Sequence, residues 1–123
     1  MYNKVSEWID GVLSDGVPDE AVAFCFNLYE NDEYYWSMEL IGAVRFDPDD
    51  QDWACDEVTD FNSRESLFTF QAECEWDEAL QTMIDILKKY LNDGKYADLL
   101  KSREGVGVGF VDGDIEIIYK NDG

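Results

Sequence analysis

Seven carboxylates crowd into fourteen residues of this chain: Asp47, Asp49, Asp50, Asp52, Asp56, Glu57 and Asp60. That density suits three kinds of chemistry: a hard-cation site, paired acid–base catalysis, or an electrostatic face for a cationic partner. A calcium loop of the helix–loop–helix type needs Gly at its sixth position and Glu at its twelfth. Counted from Asp47, those positions hold Asp52 and Val58, so no metal and no cofactor is expected. Carboxylate pairs for acid–base work carry no specificity, because 29 Asp and Glu in 123 residues make chance pairs unavoidable. The chain has no histidine, which removes the commonest general base and transition-metal ligand. Ser-His-Asp and Cys-His catalysis are therefore closed to this chain alone. A non-enzymatic protein is expected. The third chemistry remains, with Trp53 as an aromatic anchor inside the acidic stretch and Tyr34 and Tyr35 beside a turn.

Two further groups of residues invite a chemical reading. The glycines of Gly105-Val106-Gly107-Val108-Gly109-Phe110 lack the spacing and the helix-opening position of a nucleotide-binding loop. They fit a strand on which another element packs closely. Cys25, Cys55 and Cys74 are odd in number and widely spaced, which suits free thiols in a reducing compartment. Cys25 and Cys55 are expected in the core. Cys74 lies near a helix start that would lower a thiol pKa, but Glu73 and Glu75 act the other way.

These residues must be positioned by elements whose periodicity is readable. Val5, Trp8, Ile9, Val12 and Leu13 form the stripe of a helix over 3–14, with Asn3 as N-cap. Residues 21–30 and 34–46 each alternate, and the Asn31-Asp32 turn makes them an antiparallel hairpin. The Asp- and Pro-rich loop 47–52 leads to a weaker strand over 53–61. A polar connection through Arg64-Glu65 precedes a short strand over 67–72. From Trp76 the period becomes helical, through Ala79, Leu80, Met83, Ile84, Leu87, Tyr90 and Leu91, and Gly94 suits a left-handed terminator. A short helix over 95–102 precedes a closing hairpin turned at Asp112-Gly113. Trp8, Trp36 and Trp76 fall on apolar stripes and read as core. The order predicts a single α+β domain spanning 1–123. Its antiparallel sheet would have about five to six strands, with an N-terminal helix and two helices before a C-terminal β-hairpin.

The net charge of −20 is unevenly distributed. Residues 5–87 contain 22 acids against Arg45 and Arg64, whereas residues 88–123 contain seven acids and six bases. With 46% hydrophobic and 15% aromatic residues, the chain can build a core, so the charge belongs on the outside of a folded body. Anionic lipid and nucleic-acid phosphate would be repelled, and neither is expected as a partner. No basic segment precedes an apolar run at the N-terminus, so a secretory signal is not expected and the cytoplasm is the expected location.

Small, acidic, histidine-free α+β domains of this kind resemble the immunity proteins of bacterial polymorphic-toxin and contact-dependent inhibition systems. The resemblance is carried by Trp53-Ala54-Cys55-Asp56-Glu57-Val58 and by the run Gly105 to Gly113. It implies a cytosolic inhibitor that neutralises a basic toxin, often a nuclease, by stoichiometric binding. It transfers no particular residue role. The alternatives from other classes are a carboxylate-based or divalent-metal-dependent enzyme, and an accessory domain whose acidity serves solubility. The expected interface runs from Asp47 to Asp60 with Tyr34 and Tyr35; the oligomeric state is left open.

Overall fold

Strict alternation with two buried faces sets the centre of the molecule. The computed structural model describes residues 1–63, 66–111 and 113–121, apart from the side chains of 51, 59 and 60. The connection read at Arg64-Glu65, and the Asp112 half of the closing turn, lie outside the described residues. Strand β1 (Ala23–Asp32) turns through Glu33-Tyr34 into β2 (Tyr35–Ala43), pairing antiparallel as expected. Tyr34 makes this turn with φ 62°, a left-handed conformation that a bulky side chain adopts only at a cost.

After β2 the acidic stretch forms a 3-10 helix, Gln51–Cys55, and then β3 (Glu57–Asn62). The single strand expected over 53–61 is thus divided between helix and strand. Strands β3 and β4 (Phe68–Gln71) both pair antiparallel with β2, β3 near its end and β4 at its start. Together they make one interrupted edge strand. Ser63 pins the interruption: its Oγ accepts from the Leu40 N–H at 2.7 Å, and its own N–H donates to the Leu40 carbonyl at 3.0 Å.

Helices α2 (Trp76–Asp93) and α3 (Ala97–Lys101) then carry the chain back, so that β5 (Gly105–Phe110) lies beside β1 and parallel to it. Strand β6 (Glu116–Lys120) pairs antiparallel with β5 at the far edge. The sheet order is β3-β2-β1-β5-β6. The sheet is therefore mixed, which corrects the antiparallel expectation. The reason lies in the connection: two helices between β4 and β5 return the chain to the end where β1 begins, and only a parallel neighbour can start there. Strand β5 ends at Phe110 and β6 begins at Glu116.

One face of the sheet packs against helices. Phe24, Phe26, Leu28, Met38, Leu40, Val106 and Val108 meet Val5, Ile9 and Leu13 of α1 (Tyr2–Ser14), and Met83, Ile84, Leu87 and Leu91 of α2. Met1, not Asn3, occupies the N-cap position of α1. The buried Tyr90 ties three elements: its hydroxyl donates to Asp10 on α1 at 2.6 Å and accepts from the Tyr96 N–H at 3.1 Å. Burial and then the Asp10 bond hold that phenol well above its usual pKa. Gly94 follows with φ −74°, not left-handed as expected. It is glycine for lack of room, since a Cβ there would run into the Tyr90 ring.

The opposite face is covered by the 3-10 helix. Trp53 is 1% exposed and lies with Phe46 over Ala23, Cys25, Ile41 and Ala43. Its ring meets Phe46 edge-on at 5.0 Å. Gly105, Gly107 and Gly109 form a bare stripe under this layer. A Cβ on Gly107 would come within 2.7 Å of Ile115 Cγ2 and 3.1 Å of Trp53 Cζ2. Close packing on a glycine strand, as read from the sequence, is what the fold uses.

Candidate functional site

The expected interface residues lie at two opposite ends of the sheet. Tyr34 lies in the turn before β2 and Tyr35 opens that strand, whereas the acidic stretch follows its last residue, Ala43. A nine-residue strand separates them by roughly 25–30 Å. One continuous patch cannot include both.

Within the acidic stretch, several carboxylates serve the local fold. Asp47 Oδ1 accepts from the Asp49 N–H at 2.9 Å, and Asp50 Oδ1 from the Asp52 N–H at 3.1 Å. These bonds stabilise the turn and cap the 3-10 helix. Arg45 then bonds Asp56 through Nε and pairs with Asp50 through Nη2 at 3.4 Å. The Asp56 bond, more than the field of Asp50, drives the guanidinium pKa up. Asp49 and Asp52 remain exposed, Glu57 is half-buried, and the Asp60 side chain lies outside the described ones. Trp53 is core, so it cannot serve as a surface anchor: the bare glycine stripe beneath it draws the indole onto the sheet. Among the described residues, no group of three or more Asp, Glu or Cys converges as a metal site.

The other end has a different character. Where β1 and β5 finish, a cleft of about 840 Å³ opens between Leu28, Phe110, Trp76 and Leu80. Its rim carries Glu30, Asp114 and Glu116, all exposed. Trp76, expected in the core, is 59% exposed. It begins α2, one turn before the first buried residue of that helix, and its ring stands edge-on to Phe110 at 6.1 Å. Val111, Tyr34 and Tyr35 at the same end are also large exposed apolar residues. Segments 29–35, 72–80 and 110–116 supply three, four and three acids and not one Lys or Arg. The described cations lie toward the opposite end: Lys88, Lys89, Lys95 and Lys101 late in α2 or around α3, Lys4 early in α1, and Arg45, Arg103 and Lys120 near the starts of β1 and β5. Lys89 sits over the Tyr2 ring at 4.5 Å, and Arg103 donates to the Ala21 carbonyl at 2.8 Å.

Between the two ends, Glu39 is 2% exposed on the face away from the helices. It accepts from Tyr29 at 2.5 Å and from Asn27 at 3.2 Å. Cys25 donates to Asn27 at 3.3 Å. Burial first, and then the Glu39 charge, push the Cys25 thiol up to about 12. Cys74 is also raised, by desolvation and by Glu78, Glu75 and Asp77. Cys55 is exposed rather than in the core, because the 3-10 helix turns Trp53 inward and Cys55 outward.

The chain was compared with protein-family models, with curated proteins and with solved structures, and no match was found. Function must therefore be argued from chemistry. Sequence reading missed Trp76, Glu30, Asp114 and Glu116. The available signal was the run of three cation-free acidic segments, which becomes a site only when β1 and β5 lie side by side.

Proposed function

We propose that this protein is a non-enzymatic binder that neutralises a basic protein by stoichiometric association, as an immunity protein neutralises a basic toxin. One observation carries the reading: the chain holds 29 acids against nine bases, far more carboxylates than its own cations can neutralise. The ion pairs between fully described side chains are those of Arg45 with Asp50 and Asp56. A surface so uncompensated raises encounter rates with a cationic protein and repels phosphate. The exposed acids of the Asp47–Asp60 stretch contribute to this steering field. The absence of histidine supports binding over catalysis. No helix among the described residues is long and apolar enough to cross a membrane.

The test is association with the product of the adjacent upstream reading frame, followed by size-exclusion chromatography at 50 and 500 mM salt. A one-to-one complex that weakens as salt rises is expected. Failure to associate at low salt, together with a rise in melting temperature on adding calcium or magnesium, would favour the metal-dependent enzyme instead.

A further inference from the structure

We propose that the cleft at the ends of β1 and β5 receives an arginine side chain presented by a basic segment of a protein partner. In this arrangement the guanidinium lies on the Trp76 ring and pairs with Glu30, Asp114 and Glu116. The proposal rests on the basic-partner reading above and moves its anchor from the acidic stretch to the opposite end of the sheet.

Four observations converge on it. The cleft is concave, at about 840 Å³, within the size range that encloses a ligand group. Its apolar wall includes Trp76, a residue 59% exposed although it begins a helix that buries six others. A large aromatic left open beside polar groups is the composition of an interface anchor. The charged lining is anionic: Glu30, Asp114 and Glu116 line the cleft beside Tyr29, and among the described residues no Lys or Arg does. Finally, the exposed Tyr34, Tyr35 and Val111 at the same end extend the platform beyond one small molecule, which favours a protein segment over a free amine.

The sign of the ligand follows from the charges. The N-terminal end of α2 would by itself attract an anion, but Glu75, Asp77 and Glu78 occupy its first turn and cap. Arginine suits the site better than lysine. Its planar, weakly hydrated guanidinium stacks on an indole and bonds carboxylates in pairs. A second copy of this chain is disfavoured as the occupant, since each copy carries −20.

The experiment titrates ¹⁵N-labelled protein with a capped five-residue peptide bearing two arginines, with its lysine counterpart, and with its uncharged citrulline counterpart, all at 50 mM salt. The Trp76 indole N–H and the amides of 110–116 should shift saturably with the arginine peptide. The lysine peptide should bind several-fold more weakly and the citrulline peptide not at all. Trp76→Ala, which removes a mostly exposed ring and should keep the native circular dichroism, is expected to weaken binding roughly ten-fold. Asp114→Asn with Glu116→Gln should weaken it comparably, whereas Asp49→Asn with Asp52→Asn should change it less than two-fold. If the acidic-stretch pair costs as much as the cleft pair, or the shifts gather at 47–56, the cleft assignment fails while the basic-partner reading stands. No binding of either charged peptide removes both. Spermine binding as tightly as the arginine peptide, or self-association abolished by Trp76→Ala, would also overturn the assignment.

Discussion

Replacing Trp53 by Ala separates a buried support from a surface anchor, because the two roles predict opposite results. The indole is 1% exposed and covers the second face of the sheet with Phe46. The floor beneath it is the backbone of Gly107, and its neighbours Ala23, Cys25, Ile41 and Ala43 are short or already packed. Little can move in to fill the space, so the cost should fall in the range of about 3–5 kcal/mol typical of a large aromatic truncated in a core. Against the roughly 5–15 kcal/mol that hold a domain together, that is a large fraction. It corresponds to a fall in melting temperature of roughly 10–20 °C. Guanidinium unfolding followed by far-ultraviolet circular dichroism is the suitable assay, since tryptophan emission changes with the substitution itself. The midpoint should drop with the slope unchanged, and binding of a cationic partner to the folded variant should stay within two-fold. A loss of less than about 1 kcal/mol, joined to a ten-fold loss of partner affinity, would refute the packing argument and restore Trp53 as an anchor.

Three other substitutions test separate parts of the architecture. Gly109→Ala places a Cβ against the Asp114 carbonyl and 3.1 Å from Ile115 Cα. Because backbone must then shift, about 1–3 kcal/mol of stability should be lost in thermal unfolding; an unchanged melting temperature would mean that Asp114 and Ile115 do not lie on the glycine stripe. Ser63→Ala leaves the buried Leu40 N–H without the hydroxyl acceptor at 2.7 Å, at a cost of about 1–3 kcal/mol, and amide exchange at Leu40 should accelerate; equal exchange in both proteins would contradict that pairing. Cys25 gives a pH signature. Burial pushes its thiol from the usual 9.0 up to about 12, so the unfolded chain releases that proton first. Stability from this group is complete below pH 9 and declines toward pH 12, by about 1.4 kcal/mol per unit. Cys25→Ala should flatten the alkaline limb, and a thiol reagent should modify Cys55 long before Cys25.

Much of the fold was readable because periodicity reports faces. Phe24, Phe26 and Leu28 alternate on one side of β1, and Met83, Leu87, Tyr90 and Leu91 share one stripe of α2; both patterns identified core correctly. The glycines of β5 announced a close approach. The neighbours of a strand, however, are not encoded by its alternation. Phe24 opposes Gly42 in β2 and Val106 in β5, and either pairing buries the same face whatever the strand direction. The parallel β1–β5 pair was therefore hidden. Two of the four tryptophans were misread for a related reason. Trp53 stands in a run of acids and is core, while Trp76 heads a clean apolar stripe and is exposed. Stripe membership records which way a side chain points from its helix axis, not whether the sheet extends far enough to cover it.

The sequence by itself determined that the chain would carry −20, that a histidine-based site was closed to it, and that its acids would crowd into residues 5–87. It could not determine where those acids would act. Electrostatic potential sums over space rather than along the chain. Residues 47–60 are the densest acids in order, yet Arg45 and backbone donors at that end absorb part of their charge. Glu30 is far in order from Asp114 and Glu116, and the parallel register of β1 and β5 brings it to one cleft with them beside an open indole. Tertiary structure alone made that neighbourhood, because only strand pairing decides which distant charges share a surface.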